Sequence, residues 1–313
     1  MKKLGFIFPG QGCQYVGMGR ELYENFEEAR ITFDKANSIL KKDIADLCFN
    51  GPLEELTSTE NNQVAIVTVS MAILEILKSK GINPSAMAGL SLGEYSALIG
   101  SGALSFEDGL SLVRKRGLFM KEDSDKSKGA MAAVIGGSIE DIEVVCEELR
   151  EKGIIAIANY NCPNQIVISG EEPLIDEAIE MLKSKKVKRC LKLTVSGAFH
   201  TKLMGEASKK LRKELDEVKI EKTDVIILPN VTGEVLSDFS NLAELLENQV
   251  KSSVQWQKTI ESMLDMGIDV FIEVGPGKSL SGFVKKINKD AKVFNVEDIA
   301  SLENTIKNLS ESA

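Results

Sequence analysis

The Gly-x-Ser-x-Gly pattern of residues 89–93 constrains the fold of this chain more than any other feature. It lies between an apolar run at 85–90 and a helical pattern at 92–99, which predicts a serine on a sharp turn from a strand into a helix. Glycines are needed on both sides because the backbone packs closely around such a turn. An apolar strand at 4–8 and its glycine-rich loop agree with this arrangement. We therefore predict an α/β fold with a parallel central sheet.

A second pattern interrupts the first one after residue 128. Four strands and two helices alternate there in the order βαββαβ, which is typical of a ferredoxin-like unit. We predict an α/β-hydrolase-like large domain that is discontinuous, made of residues 1–127 and 197–313, with a small ferredoxin-like domain inserted at 128–196. The polar segment 124–128 is predicted to be an exposed loop between them.

Composition excludes several classes of protein. A net charge of −9 argues against a nucleic-acid partner, because phosphate binding needs clustered Lys and Arg. One histidine and five dispersed cysteines argue against a catalytic metal site, so no metal ligand is predicted. No apolar run approaches the roughly 18 residues that span a bilayer. We expect a cytoplasmic protein with reduced thiols and no membrane contact.

Ser91 and His200 are the predicted catalytic pair. A serine hydroxyl needs a base at neutral pH, and His200 is the only imidazole in the chain. It follows the last strand of the inserted domain, where two domains meet over a cleft. The alternatives are a turn of small residues at Ser91 and a packed or surface histidine. No Asp or Glu stands out as a third member, so we expect a dyad whose imidazole is oriented by a backbone carbonyl. An ordinary imidazole predicts acylation that rises between about pH 6 and 8.

Acyl transfer also needs donors for the oxyanion of its tetrahedral intermediate. The amide of Leu92 comes with the serine turn. The glycine-rich loop that holds Gln11 is the candidate for the second amide. That loop lacks the spacing of a dinucleotide site and the Lys-Ser/Thr ending of a phosphate loop, so nucleotide binding is the weaker alternative.

Arg116 lies on a predicted helix at 106–121, beside two other basic residues. Such a cluster is usually a solvated helix face. A guanidinium near the serine would have a purpose if the acyl group carried a carboxylate, because the two groups pair in a bidentate fashion. This contrast separates a transferase for a dicarboxylic thioester from an esterase for neutral substrates.

These features together resemble the bacterial malonyl-CoA:acyl carrier protein transacylase family, which is related to the acyltransferase domains of polyketide synthases. The resemblance covers essentially the whole chain. Its motifs occur here in the order of the family, at residues 8–12, 89–95, 116–117, 197–200, 254–256 and 273–277.

The resemblance implies a role for eight residues. Their implied roles are nucleophile for Ser91, base for His200, oxyanion amides for Gln11 and Leu92, carboxylate anchor for Arg116, orientation of the imidazole by the backbone carbonyl of Gln255, and substrate contact for Gln63 and Phe199. Phe199 resembles the malonyl-selecting form of the family. Two departures are Leu90, where the family commonly has histidine, and Cys13, where it commonly has serine.

The implied reaction moves a malonyl group from coenzyme A to the phosphopantetheine thiol of acyl carrier protein, through a malonyl-serine intermediate, in fatty acid biosynthesis. No cofactor is implied, because the coenzyme A thioester and the phosphopantetheine arm are substrates. The partners are malonyl-CoA and acyl carrier protein, and a monomer is expected. The alternatives are a stand-alone polyketide synthase acyltransferase, an α/β serine hydrolase or thioesterase, and a non-catalytic relative that binds the carrier.

Overall fold

A computed structural model describes residues 3–195 and 197–311, and its strands form two separate sheets. In chain order the strands are β1 (Leu4–Phe8), β2 (Ala86–Gly89), β3 (Gly129–Gly136), β4 (Ile155–Cys162), β5 (Gln165–Glu171), β6 (Val187–Lys192), β7 (Ile226–Ile227), β8 (Val270–Val274) and β9 (Lys292–Val296). The first sheet has the order β7-β2-β1-β8-β9, and its strands pair in parallel. The predicted α/β fold with a parallel sheet is therefore confirmed.

Helices cover the sheets and fill most of the chain between the strands. They are α1 (Arg20–Asn25), α2 (Glu27–Leu40), α3 (Ile44–Asn50), α4 (Leu53–Thr57), α5 (Thr59–Ser79), α6 (Gly93–Ser101), α7 (Phe106–Lys126), α8 (Ile139–Arg150), α9 (Glu172–Lys183), α10 (Gly205–Leu215), α11 (Leu242–Gln249), α12 (Trp256–Asp265), α13 (Ser279–Ile287) and α14 (Ile299–Glu311). Short 3₁₀ turns lie at Lys202–Met204 and Phe239–Asn241.

The second sheet is antiparallel, with the order β4-β5-β3-β6. With α8 and α9 it has the strand order of a ferredoxin-like unit. Buried side chains of β3, β4, β5, α8 and α9 form a hydrophobic cluster of their own, and partly buried side chains of β6 pack against it. The side-chain hydroxyl of Ser138 caps α8 by accepting from the amide of Asp141, as a Ser at the N-cap commonly does.

The predicted loop at 124–128 is wrong for its first three residues, which belong to the last turn of α7. Ser124 is buried, and a Cβ on Gly197 would lie 2.0 Å from its hydroxyl oxygen. The side chain of Asp123 accepts a hydrogen bond from the amide of Ala207. Contacts with residues 197–207 thus stabilise a helix where the polar sequence predicted a loop. The second sheet lies within 128–196, and the division into two domains at those limits stays a proposal.

Helix α5 is long and apolar enough to span a membrane by length and composition, contrary to the expectation that no segment approaches this limit. However, 83% of its most apolar window is buried inside the protein. It packs between α2 and α7 in the large hydrophobic core. Its apolar character is therefore that of a central core helix.

Three neighbouring strands present their carboxyl ends at one edge of the parallel sheet. Gln11 follows β1, Ser91 follows β2 and Asn230 follows β7, and these strands are adjacent in the sheet. In open α/β sheets, ligands bind outside the carboxyl ends of the strands. This edge is consequently the place where a site is expected.

Candidate active site

The turn that holds Ser91 is packed too tightly for any residue larger than glycine at positions 89 and 93. A Cβ on Gly89 would lie 1.9 Å from the carbonyl carbon of Gly93. A Cβ on Gly93 would lie 2.1 Å from the carbonyl oxygen of Phe8, in the neighbouring strand. Both distances are far below van der Waals contact, so the two glycines are required, as the sequence predicted.

Ser91 and His200 lie in contact, although 109 residues separate them in the sequence. The Ser91 hydroxyl oxygen is 2.8 Å from His200 Nε2. This is the distance of a hydrogen bond along which a proton can pass from serine to imidazole. Ser196, at the start of the segment that carries the histidine, lies outside the described residues.

Both residues of this pair have a left-handed backbone conformation. The φ angle is 53° at Ser91 and 61° at His200. Residues with a side chain seldom adopt this conformation, and it occurs disproportionately at functional sites. The strain indicates that the surrounding contacts hold these two side chains in place.

The ring of His200 is oriented by two backbone carbonyls. Its Nδ1 atom lies 2.8 Å from the carbonyl oxygen of Gln249 and 3.2 Å from that of Ser252. The prediction that Gln255 orients the ring was wrong. The Gln255 carbonyl accepts hydrogen bonds from Thr259 instead, because Gln255 caps α12. Orientation by a backbone carbonyl, as expected for a dyad, agrees with the geometry.

His200 is a neutral imidazole over a wide pH range. Burial and, to a smaller extent, the nearby charge of Arg116 lower the pKa of His200 to about 4, against the opposing effect of the two carbonyls. A protonated ring in this place would lose its hydration and face a second cation. The ordinary imidazole value used in the sequence analysis was therefore wrong for this site.

Arg116 is buried beside the nucleophile and is not part of a solvated helix face. Its side chain is 1% exposed. One terminal nitrogen donates to Gln63 Oε1 at 2.8 Å, and the other donates to Ser91 Oγ and Gln249 Oε1, each at 3.1 Å. Its guanidinium also lies over the ring of Tyr95, 5.6 Å from the centroid. Burial lowers the pKa of Arg116, yet a guanidinium stays charged at any physiological pH.

Two residues that hold the turn were missed by the sequence analysis. The Asn230 side chain accepts from the Ser91 amide at 2.6 Å and donates to the Gly89 carbonyl at 2.7 Å. The Gln249 side chain donates to the Ser91 carbonyl at 2.8 Å. A polar residue three positions after β7 was a usable signal for Asn230. Gln249 lies at the end of an ordinary helix, and no sequence motif marks it.

The two predicted oxyanion donors lie beside Ser91 at the wall of the cavity. Gln11 and Leu92 both line it, and neither amide donates a hydrogen bond to a residue in 3–195 or 197–311. The thiol of Cys13 donates a hydrogen bond to the carbonyl of Gly10 at 3.1 Å and so stabilises the loop that carries Gln11. Burial raises the pKa of Cys13, and the charge of Glu273 raises it further. Cys13 is therefore a protonated thiol whose hydrogen bond stabilises this loop.

A cavity of about 350 Å³ opens above Ser91 between the two sheets. The large sheet and its helices contribute Ser91, Arg116 and Phe199, the last of them 6% exposed. The second sheet contributes apolar side chains and two asparagines, namely Met131, Ala133, Val167, Asn159 and Asn161. No group of three His, Cys, Asp or Glu side chains in the described ranges could hold a metal ion. The geometry provides a nucleophile, a neutral base and a buried cation at the end of a largely apolar cleft.

The chain is similar to known proteins over its whole length. The acyl transferase domain family matches residues 5–311. A malonyl CoA-acyl carrier protein transacylase of Bacillus subtilis is 44% identical over 312 residues, which is 99% of this chain and 98% of the relative. A malonyl CoA-acyl carrier protein transacylase from Clostridium perfringens, solved as a crystal structure, has 48% sequence identity to this chain. Its TM-score is 0.95, over 99% of this chain and 98% of that one.

A second solved structure shows a malonyl-transacylase in complex with its type II polyketide synthase acyl-carrier protein. It is 34% identical, with a TM-score of 0.95 over 98% of this chain and 100% of that one. Identity and coverage at these levels extend through both sheets and the cavity between them. The chain belongs to the acyl transferase domain family, in the group that contains the malonyl CoA-acyl carrier protein transacylases.

Proposed function

We propose that this protein is a malonyl-CoA:acyl carrier protein transacylase that works through a malonyl-serine intermediate. The observation that carries the proposal is the buried Arg116, whose guanidinium donates to the hydroxyl of Ser91. Among the described residues no carboxylate lies within ion-pair distance of it. A buried cation beside a nucleophile is costly unless an anion joins it. The terminal carboxylate of a malonyl group is such an anion.

The first half of the reaction acylates Ser91. His200 Nε2 accepts the hydroxyl proton while the serine oxygen attacks the thioester carbonyl. The amides of Gln11 and Leu92 stabilise the oxyanion, for which each donor contributes about 3 to 4 kcal/mol. When the intermediate collapses, the carbon–sulfur bond breaks and the leaving sulfur of coenzyme A takes the proton from His200 to become a thiol. The malonyl group is then an ester of Ser91.

The second half returns the enzyme to its starting state. His200 accepts the proton of the phosphopantetheine thiol, and the sulfur attacks the serine ester. The carbon–oxygen bond breaks, and Ser91 recovers its proton from the imidazole. Gln63 holds one terminal nitrogen of Arg116 in both halves, and Phe199 closes the apolar wall beside the acyl group. No step requires a metal or a redox group.

The names of the relatives support this assignment of substrate and partner. One of these relatives was solved in complex with a polyketide synthase carrier protein. We therefore propose that the carrier used by this protein belongs to either a fatty acid or a polyketide pathway. We assign the protein to the cytoplasm as a monomer that needs no cofactor. We keep the proposed division into a large domain, 1–127 with 197–313, and a small one at 128–196.

The product of a mixed reaction tests the proposed function. Enzyme, malonyl-CoA and holo acyl carrier protein are combined, and the products are separated by mass spectrometry. We expect malonyl-carrier protein to accumulate and free malonate to stay near the level of the enzyme-free reaction. Release of malonate at the rate of coenzyme A release would show a hydrolase or thioesterase. No turnover of malonyl-CoA with any carrier would indicate a non-catalytic relative.

Replacing Arg116 with alanine should separate malonyl from acetyl transfer. Loss of the carboxylate partner should cost about 2 to 5 kcal/mol, or about 30-fold to several thousand-fold in kcat/KM for malonyl-CoA. Acetyl transfer should hold steady or rise because acetyl has no carboxylate. Arg116→Lys should restore little, since an ammonium lacks the planar fork. Arg114→Ala is the matched control, because Arg114 is exposed on the same helix and donates to the Leu40 carbonyl.

Steady-state rates with both thioesters check this prediction. The Arg114 variant should keep the wild-type ratio of malonyl to acetyl transfer. An equal loss of both activities in Arg116→Ala would mean that the arginine is structural. The proposed preference for malonyl would then lose its main physical support.

A further inference from the structure

Glu94 is a buried carboxylate close to the site that the proposed mechanism does not use. It is 1% exposed and lies in the first turn of α6, three residues after the nucleophile. Its Oε2 atom accepts from Gln249 Nε2 at 2.7 Å and from the Asn230 amide at 3.2 Å, whereas Oε1 has no hydrogen-bond partner. No Lys, Arg or His nitrogen of the described chain lies within 4.0 Å of it. Such burial destabilises the fold, so a reason other than stability is needed.

Gln249 connects this carboxylate to the guanidinium of Arg116. Its amide nitrogen donates to Glu94 and to the Ser91 carbonyl, and its amide oxygen accepts from Arg116. The oxygen and nitrogen ends of an amide have nearly the same shape, so hydrogen-bond partners decide its orientation. An ionised carboxylate only accepts and a guanidinium only donates. Glu94 and Arg116 therefore fix the same orientation of Gln249 from opposite ends.

The reversed orientation of Gln249 would break both contacts. Its oxygen would face the Glu94 carboxylate, and its N–H groups would face those of Arg116. A carboxamide at position 94 can accept or donate, so it would remove the larger, charged part of the penalty at one end and leave only the Ser91 carbonyl to favour the observed orientation there. The terminal nitrogen of Arg116 that donates to Gln249 would then lose its fixed acceptor. Gln63 would still accept from the other terminal nitrogen.

The indirect connection keeps Arg116 available for substrate. A direct pair between Glu94 and Arg116 would neutralise the guanidinium and compete with an incoming carboxylate. Two neutral amide oxygens, from Gln63 and Gln249, hold its direction and leave its charge unpaired. Burial raises the pKa of Glu94 to about 7, although its contacts with Gln249, Asn230 and Arg116 act in the opposite direction, so the acceptor-only carboxylate is the main form at pH 8, where its variants are compared.

We propose that Glu94 fixes the orientation of the Gln249 side chain and thereby aims the Arg116 guanidinium at the carboxylate of the malonyl group. Glu94 is thus a positioning residue for malonyl selectivity. This inference rests on the proposed function, because it assumes that malonyl is the preferred acyl group.

The variant Glu94→Gln tests the role of the charge at nearly constant shape. We expect kcat/KM for malonyl-CoA to fall about tenfold or more, as for other coupled neighbours, and kcat/KM for acetyl-CoA to change less than about threefold. The matched control is Glu273→Gln. Glu273 is another buried carboxylate, but it caps α13 through the amides of Leu280 and Ser281. That control should lower the melting temperature and leave the malonyl-to-acetyl ratio unchanged.

A double-mutant cycle with Arg116→Ala shows whether the effect passes through the guanidinium. In the Arg116→Ala background, Glu94→Gln should cause no further loss of malonyl transfer. A further loss equal to that in the wild-type background would overturn the proposal, because independent sites add. An unchanged malonyl-to-acetyl ratio in the single variant would overturn it as well.

Thermal melting establishes whether each variant is folded. If Glu94→Gln does not fold, Gln249→Met carries the test, since it removes the amide that Glu94 orients. The same loss of malonyl preference is then expected, and an unchanged preference would refute the connection. A wild-type enzyme without malonyl preference would refute the proposed function itself. A wild-type preference that survives both variants would refute only the role of Glu94.

Discussion

Ser91→Ala is expected to abolish covalent labelling of the protein by radioactive malonyl-CoA and to reduce transfer by a factor on the order of 10⁶. Within residues 3–195 and 197–311, Ser91 alone combines the tight strand-to-helix turn with a hydrogen bond to His200. A methyl group in its place leaves the cavity and the oxyanion amides intact but offers no atom that can form an ester. Gel electrophoresis of the labelled protein and steady-state transfer rates measure the two effects.

Ser96→Ala is the control for this experiment. Ser96 is buried in α6, the helix that follows Ser91, and its hydroxyl has no hydrogen-bond partner among the described residues. Its removal should leave the label and the transfer rate near wild type. Retention of a stoichiometric malonyl label on Ser91→Ala would assign the nucleophile to another residue.

His200→Ala should slow acylation by about 10² to 10⁴-fold, the usual contribution of a positioned base. Malonyl and acetyl groups should be affected equally, because His200 acts on the serine proton and not on the acyl substituent. This equality distinguishes the base from Arg116, whose loss should change the ratio of the two. Rapid-quench measurement of the acyl-enzyme burst gives the acylation rate directly. A normal burst in the variant would exclude His200 as the base.

The pH dependence of the wild-type burst belongs to the same test. Because burial lowers the pKa of His200 to about 4, the neutral base is fully present from pH 6 to 8 and the acylation rate should be flat there. The rate should fall below about pH 5, as the imidazole takes up a proton and can no longer accept one. A rise between pH 6 and 8, with chemistry rate-limiting, would show that the ring is solvated more than its burial indicates.

The local parts of this fold could be predicted from the sequence. Glycines at 89 and 93 and the apolar residues before them specify the serine turn, because steric exclusion there depends on neighbours in the chain and on one adjacent strand. The βαββαβ order could be predicted for the same reason, since each element shows its own periodicity. The resemblance to a family added the roles of distant residues such as His200.

Other parts depend on contacts that no local pattern encodes. The carbonyl that orients His200 comes from Gln249 and not from Gln255, because the path of the chain after α11 decides which peptide group faces the ring. The low pKa of His200 follows from burial beneath the second sheet and from the proximity of Arg116. Both require the assembled structure. The helical end of α7 was missed because two of its polar residues, Asp123 and Ser124, are buried against residues 197–207.

The interrupted course of the chain has a consequence for synthesis on the ribosome. Strands β1 and β2 emerge early, whereas β7 and β8, which flank them in the sheet, emerge only after the whole antiparallel sheet has been made. A nascent chain therefore carries the nucleophile on two parallel strands whose outer edges are unpaired for much of translation. Unpaired edges are where strands of other chains associate and where chaperones are needed. The serine turn gains two of its hydrogen-bonding partners only when Asn230 and then Gln249 have emerged, and the base lacks its orienting carbonyl until Gln249 is made. The nascent enzyme is therefore inactive until most of the chain has been translated.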